Sequence, residues 1–368
     1  MNCDNKYIMW LSSLNNIKLS TRRKLLDYFG SGQELWLADS KDLKYSEILN
    51  TITIEKIVAS RYKYSVDEEL EKLNNINAKF YTEDDEEYPE KLKYIPDAPL
   101  GIYVRGKIVP EDKVSVAIVG SRRITDYGAM CCEKFSRELA QNGICVVSGL
   151  AMGTDAVAHS SCLKGGGITF AVLGTGIDTI YPVCNTNLAD KVMEKGCLIS
   201  EFPLGTKAFP ANFPIRNRII SGMCDVTVVI EADEKSGTMI TANHALEQGR
   251  TVMALPGNIT SRLSRGTNNL IRLGATAVTK TEDILEELNI TISIDNTKEN
   301  IKNSGKIING LAPNEKLVYD CMDYEPITID EIIEKINLNI QDASCALTML
   351  EVQGLIQKMS GQKYVKVL

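Results

Sequence analysis

The chain has 368 residues, 44% of them hydrophobic and 24% charged, and a formal net charge of −7. That length exceeds one ordinary core and points to two or three domains, while the acidic balance excludes a polyanion binder that works through bulk positive field. No apolar run approaches the ~20 residues that span a bilayer, and the opening MNCDNKYIMWLSS lacks the order of a signal peptide, so no membrane role and a cytoplasmic location are expected.

Residues 1–65 carry short helical patterns that break at Phe29-Gly30-Ser31-Gly32, as in LSTRRKLLDYFGSGQELWLADS, and read as a helical domain. A connecting segment, 66–112, follows. It holds the acidic run TEDDEEYPE (82–90), read as a solvated loop, and APLGIYVRG (98–106), read as a strand. Residues 113–289 then alternate strand and helix signals, which predicts an α/β, doubly wound, mostly parallel sheet. Its strands are expected in VSVAIVG (114–120), ICVVSG (144–149), ITFAVLG (168–174), CLISEF (197–202), DVTVVIEA (225–232), TVMALPG (251–257) and ATAVT (275–279). Residues 290–310, polar and without sustained periodicity, read as a linker. In 311–368 a helix, a turn, a second helix and two short strands around Ser360-Gly361 give the order of a winged helix.

Lysine plus arginine against aspartate plus glutamate count 16 to 20 in residues 1–112, 17 to 17 in 113–289 and 8 to 11 in 290–368. Nucleic-acid binding by the neutral middle region therefore requires a local patch. Ten cysteines without any CxxC pair read as reduced thiols, and two histidines, His159 and His244, are too few to predict a metal site.

In an open parallel sheet a ligand sits outside the carboxyl ends of the strands. Here those ends carry GSRR (120–123), SGLAMGTD (148–155), GTGID (174–178), SEFPLG (200–205), EADEKSGT (231–238) and PGN (256–258). Glycine turns followed by helix N-termini suit an anion. A dinucleotide fingerprint is absent, because Gly120 is followed by Ser121, Arg122, Arg123, Ile124 and Thr125, and the second strand ends in Ser148-Gly149 in place of a ribose-reading acid. There is also no GxxxxGK[ST] loop. No nucleotide cofactor is expected, and an arginine at a helix N-terminus without a sugar reader fits a phosphate within a polymer.

A second cluster, FPANFPIRNRIISG (209–222), places Arg216, Asn217 and Arg218 beside Phe209 and Phe213. Guanidinium groups with aromatic faces are the ingredients of single-strand binding without sequence reading. The plainer alternative is that these arginines pair with Glu201 or Glu231 while the phenylalanines fill core. Asp155 and His159, four apart, could form a catalytic pair; the plainer reading is an early-helix aspartate that accepts backbone N–H groups and a buried histidine bonded to the sheet edge. No GxSxG elbow supports a hydrolase built on Ser121 or Ser148.

Together GSRRITDYG, VVSGLAMGTDAVAH, VLGTGIDTIYP, LISEFPLG, FPIRNRIISG, EADEKSGTMITANHALEQGR and ALPGN…SRGTNNLIRLGA resemble the bacterial DNA-processing protein DprA (Smf) family throughout 113–289. YPEKLKYIPDAPLGIYVRG (88–106) is similar to that family's lead-in. The resemblance implies a Rossmann-like domain that binds single-stranded DNA without a cofactor, a homodimer, no enzymatic activity, and loading of RecA recombinase onto incoming DNA during natural transformation. It carries phosphate contact to Arg122 and a DNA-pocket role to Phe213, Arg216 and Arg218, with Lys207 as the additional lysine. Gly120, Ser121, Gly149, Asn217, Gly237 and Thr238 complete the expected DNA site. Residues 1–65 are similar to the family's sterile-alpha-motif-like helical domain, and 311–368 to its winged helix. The second helix there, Ile340–Gln353, contains Asp342 and Glu351 and no lysine or arginine, which points to protein contact or regulation and away from gripping duplex.

A competing enzyme reading comes from SGTMITANHALEQGR, whose Gly-Thr turn followed by Glu247 is similar to phosphoribohydrolases of the lysine-decarboxylase-like fold group. Their PGGxGT loop is replaced here by EADEKSGT.

Overall fold

The apolar runs of the middle region form one nine-stranded sheet, seen in a computed structural model that describes residues 4–108, 113–290, 310–323, 326–359 and 361–366. The strands are β1 (Ala78–Thr82), β2 (Gly101–Gly106), β3 (Ser115–Val119), β4 (Cys145–Ser148), β5 (Thr169–Leu173), β6 (Cys197–Ser200), β7 (Val226–Val229), β8 (Thr251–Ala254) and β9 (Thr276–Ala277). Their order is β1-β2-β6-β5-β4-β3-β7-β8-β9, with β1–β2 and β2–β6 antiparallel and all other pairs parallel. From β3 the chain winds outward through β4, β5 and β6, then crosses back to β7 on the other side of β3. That reversal makes the doubly wound, Rossmann-like arrangement and leaves a crevice at the carboxyl ends of β3 and β7.

Both faces of the sheet are covered, which is why β3, β4, β5 and β6 are buried at every position and read as continuous apolar runs. Alternation sorts the side chains. On β5, Phe170 and Val172 join a core with Ile219 and Ile220 of one helix and Ala242 and Ala245 of another, whereas Ala171 and Leu173 join a core with Ala189 and Val192. The helices concerned are α11 (Asn212–Gly222), α12 (Gly237–Glu247) and α10 (Thr186–Lys195). Helices α8 (Asp126–Gln141) and α9 (Thr154–Lys164) pack on each other and against β4.

The N-terminal helices α1 (Asn5–Ser13), α2 (Leu19–Phe29), α3 (Gly32–Leu37), α4 (Ser40–Tyr45), α5 (Thr51–Lys63) and α6 (Val66–Asn75) are punctuated by side-chain caps. Ser31, Asp39, Asn50 and Ser65 each accept a backbone N–H from the first turn that follows. Their buried residues, among them Trp10, Leu25, Leu35 and Ile57, share a core with Phe80, Tyr103, Leu173 and Leu198 of the sheet. Residues up to 288 thus form one compact unit, and the boundary read at residue 65 divides the sequence but not the core. β1 and the short helix α7 (Glu90–Lys93) were not foreseen; both flank the acidic run, which is a turn.

The second unit has its own core of Val318, Met322, Ile332, Leu347, Leu350 and Ile356. Helices Pro313–Cys321, Ile329–Ile336 and Ile340–Val352 precede a hairpin of β11 (Ile356–Met359) and β12 (Lys363–Lys366), and β10 (Ile327–Thr328) pairs with β12. This is a winged helix, with an additional first helix and a short third strand beyond the expected pattern. The expected linker falls almost wholly on 291–309, and Ser360 of the wing turn is likewise outside the described residues. No helix among the described residues is long and apolar enough to cross a membrane.

Candidate nucleic-acid interface

Gly120, Ser121, Arg122, Phe213, Arg216, Asn217, Gly237 and Thr238, eight of the residues singled out from sequence, line one cleft of about 540 Å³ at the β3/β7 switch point. Each arrives on a different element end. The turn after β3 supplies Gly120 to Arg122, the first turns of α11 supply Phe213 to Asn217, and Gly237-Thr238 open α12. Thr238 Oγ1 donates to the Gly120 carbonyl at 3.0 Å, tying the start of α12 to the end of β3. Ser121 is held in turn, since its carbonyl accepts from Thr154 N and Thr154 Oγ1, both at 3.1 Å. Asn217 Nδ2 donates to the Gly237 carbonyl at 3.3 Å and bridges α11 to α12.

Phe213 is the centre of a group of rings and cations. The guanidinium carbon of Arg122 lies 5.4 Å from its ring centroid, that of Arg216 5.9 Å, and the Tyr181 ring 5.7 Å. Arg122 and Tyr181 are exposed, so a flat cation and an aromatic face both reach solvent at the mouth. The ring approaches Gly174 so closely that a Cβ there would fall 2.8 Å from Phe213 Cδ1. Tyr181 belongs to the IYP stretch and was not foreseen as a site residue; its aromatic ring next to a strand-end glycine turn was the available signal.

Arg216 occupies the floor and is only 4% exposed. Its Nη1 donates to the Gly149 carbonyl at 2.8 Å and to the Val172 carbonyl, joining the carboxyl ends of β4 and β5. Gly149 lies against this guanidinium: a Cβ there would sit 2.6 Å from Arg216 Nη2. Burial, followed by the neighbouring positive charge of Arg122, lowers the Arg216 pKa to about 10 while Asp155 opposes the fall, so the group stays charged at neutral pH. Its role in the geometry is to join strand ends and to project positive field into the cleft. Asp155 takes the plainer of its two readings, accepting from Gly149 N at 3.1 Å and Ala151 N at 3.2 Å. His159 likewise is fully buried, with Nδ1 2.7 Å from Thr169 Oγ1 of β5, and desolvation lowers its pKa to about 3. Ser148 Oγ donates to the Ile118 carbonyl at 2.6 Å.

Three of the expected residues do not line the cleft: Gly149, which lies against Arg216, and Lys207 and Arg218, which lie elsewhere. Arg218 Nη2 donates to both carboxylate oxygens of Glu201 at 2.7 Å, and both Arg218 and Lys207 line a neighbouring cavity of about 1040 Å³. Arg218 thus pairs with Glu201, as in the plainer of its two readings, because residues 216 and 218 are two apart on a helix and point to different sides. Glu231 is engaged elsewhere, accepting from Thr125 N at 2.9 Å and from its hydroxyl. One polar atom of the cleft wall remains open, for Ser236 Oγ is shielded from solvent without a hydrogen-bond partner among the described residues.

Comparison with known proteins matches residues 79–289 to a family model described as DNA recombination-mediator protein A and residues 307–362 to one described as the DprA winged helix domain. The Protein Smf of Synechocystis sp. is 33% identical over 99% of both chains. Among solved structures, DNA processing protein A from Streptococcus pneumoniae superposes with a TM-score of 0.69 at 33% identity, over 78% of this chain and 99% of its own. The Helicobacter pylori protein, described for its single-stranded DNA binding mode, gives 0.52 at 29% identity over 57% of this chain and 95% of its own. With the family model covering more than half the chain and a relative matched end to end, this chain belongs to the DprA (Smf) family.

Proposed function

We propose that the chain is a single-strand DNA-binding recombination mediator, acting without catalysis of its own in the processing of incoming DNA during transformation and loading RecA recombinase onto it, as a homodimer. The observation that carries this reading is the grouping of Arg122, Phe213 and Tyr181 at the mouth of the switch-point cleft. A guanidinium seats backbone phosphate and two rings stack unpaired bases, while Gly237 at the start of α12 and the open Ser236 hydroxyl supply further donors. The single-strand binding described for the Helicobacter relative supports the same use of this domain. For the phosphoribohydrolase alternative, Glu247, which follows the Gly-Thr turn of that likeness, lies 3.4 Å from His244 and does not line the cleft.

Fluorescence anisotropy with labelled single strands and duplex of equal length, repeated across salt, tests the reading. Arg122→Ala is expected to weaken single-strand binding whatever the sequence and to flatten the log affinity against log salt plot by about 0.7. Unchanged affinity at moderate salt overturns the site. Stimulation of RecA filament growth on single strands, lost in the same variant, tests the mediator role.

A further inference from the structure

The segment from Lys207 to Phe213 is a wall between two spaces. Ala208, Pro210 and Phe213 face the cleft, whereas Lys207, Phe209 and Asn212 face the larger cavity, and Pro214 borders both. The far side of that cavity is formed by the N-terminal helices, through Lys18 at the start of α2 and Arg22 within it. Four permanent cations, Lys18, Arg22, Lys207 and Arg218, thus face two carboxylates, Asp97 and Glu201, one of which is already paired.

The cavity also holds an unmet donor. Arg218 is 6% exposed, its Nη2 is spent on Glu201, and its Nη1 has no partner among the described residues. Buried guanidinium nitrogens are ordinarily bonded, so this one calls for an acceptor. Arg22 repeats the pattern: Nη1 reaches the Ser12 carbonyl at 2.9 Å and Nε is open. Phe209, 56% exposed, offers a ring face at the rim.

We propose that a bound single strand continues from the Arg122 cleft across this wall into the second cavity, where phosphate oxygens accept from Arg218 Nη1, Lys207 and Lys18 and a base lies on Phe209. The N-terminal helices then form part of the nucleic-acid path. This rests on the single-strand reading above, and the two are separable by experiment. Labelled oligothymidylates of about 4 to 16 nucleotides are titrated into the full chain, the Lys18→Ala/Lys207→Ala double variant and Arg122→Ala. Both lysines are exposed, so the double variant is expected to keep the parent's thermal midpoint. It should bind the shortest strands like the parent and the longer ones several-fold more weakly, with the salt slope reduced by about 0.7 per lysine. Arg122→Ala should be weakened at every length. Parental binding by the double variant at all lengths, with Arg122→Ala still impaired, removes the second cavity and leaves the proposed function; parental binding by both removes both.

Discussion

His159 sits where a sequence-based search for catalysis would stop, yet its surroundings make it a stability element. It is fully buried against Thr169, and desolvation, with the positive charge of Arg216 adding to it, holds its pKa near 3. A histidine whose folded pKa is lowered binds its proton only in the unfolded state between the two values. Its contribution is therefore complete above pH 6.5 and is lost as the pH falls towards 3, about 2 kcal/mol by pH 5. Asp155, raised by burial, acts in the opposite sense as it protonates, so the effect is read as a difference between chains. In His159→Gln, chemical denaturation at a series of pH values should show a shallower loss of stability between pH 6.5 and 5 than in the parent; parallel profiles would assign the acid limb to other groups. The same scale separates the two arginines of RNR. One joins strand ends and the other answers a glutamate, a division set by tertiary partners that the three letters do not contain.

At the scale of elements, the sequence was most readable where burial is two-sided. Strands β3 to β7, buried at every position, lie within apolar runs visible by eye, because a strand covered on both faces has no charged positions to interrupt it. β1 was missed because AKFYT is short, sits at the sheet edge and runs directly into the acidic turn. The cleft was legible for a related reason, since glycines, an arginine and helix starts recur at strand ends, and the fold rule places the carboxyl ends of the parallel strands on one edge. Illegible were the partners that cross between elements, above all Arg216 under Gly149. That junction carries a prediction. A methyl group in Gly149→Ala meets the guanidinium 2.6 Å away and forces it off the Gly149 and Val172 carbonyls, at a cost of about 1–3 kcal/mol. Thermal unfolding should show a lowered midpoint together with weaker single-strand binding, because Phe213 is held by the same helix turn. Loss of stability with parental affinity would show that the floor of the cleft does not position its rim.

For the molecule as a whole, the question is which of its two units holds nucleic acid. The helix Ile340–Val352 occupies the position from which a winged helix enters the major groove, and it presents Asp342, Glu351 and the exposed Ile340, Met349 and Val352 with no lysine or arginine. Phosphate contacts supply nearly all non-specific affinity for duplex, so such a surface has little to offer a polyanion and is suited to meeting another protein. Of the wing lysines, Lys358 lies 5.8 Å from the Tyr364 ring and Lys366 4.4 Å from Tyr319, engaged with aromatic faces of the same unit, and Lys363 is exposed. The cations that line the cleft and the cavity beside it, Arg122, Arg216, Lys18, Arg22, Lys207 and Arg218, belong by contrast to the unit ending at Leu288. A chain ending at residue 290 should therefore bind single strands with the parent's affinity and salt slope, while residues 310–368 alone should give no duplex shift at moderate salt. Tight duplex binding by that short chain, or loss of strand binding from the long one, would move the nucleic-acid surface onto the winged helix and leave the switch-point cleft to some other ligand.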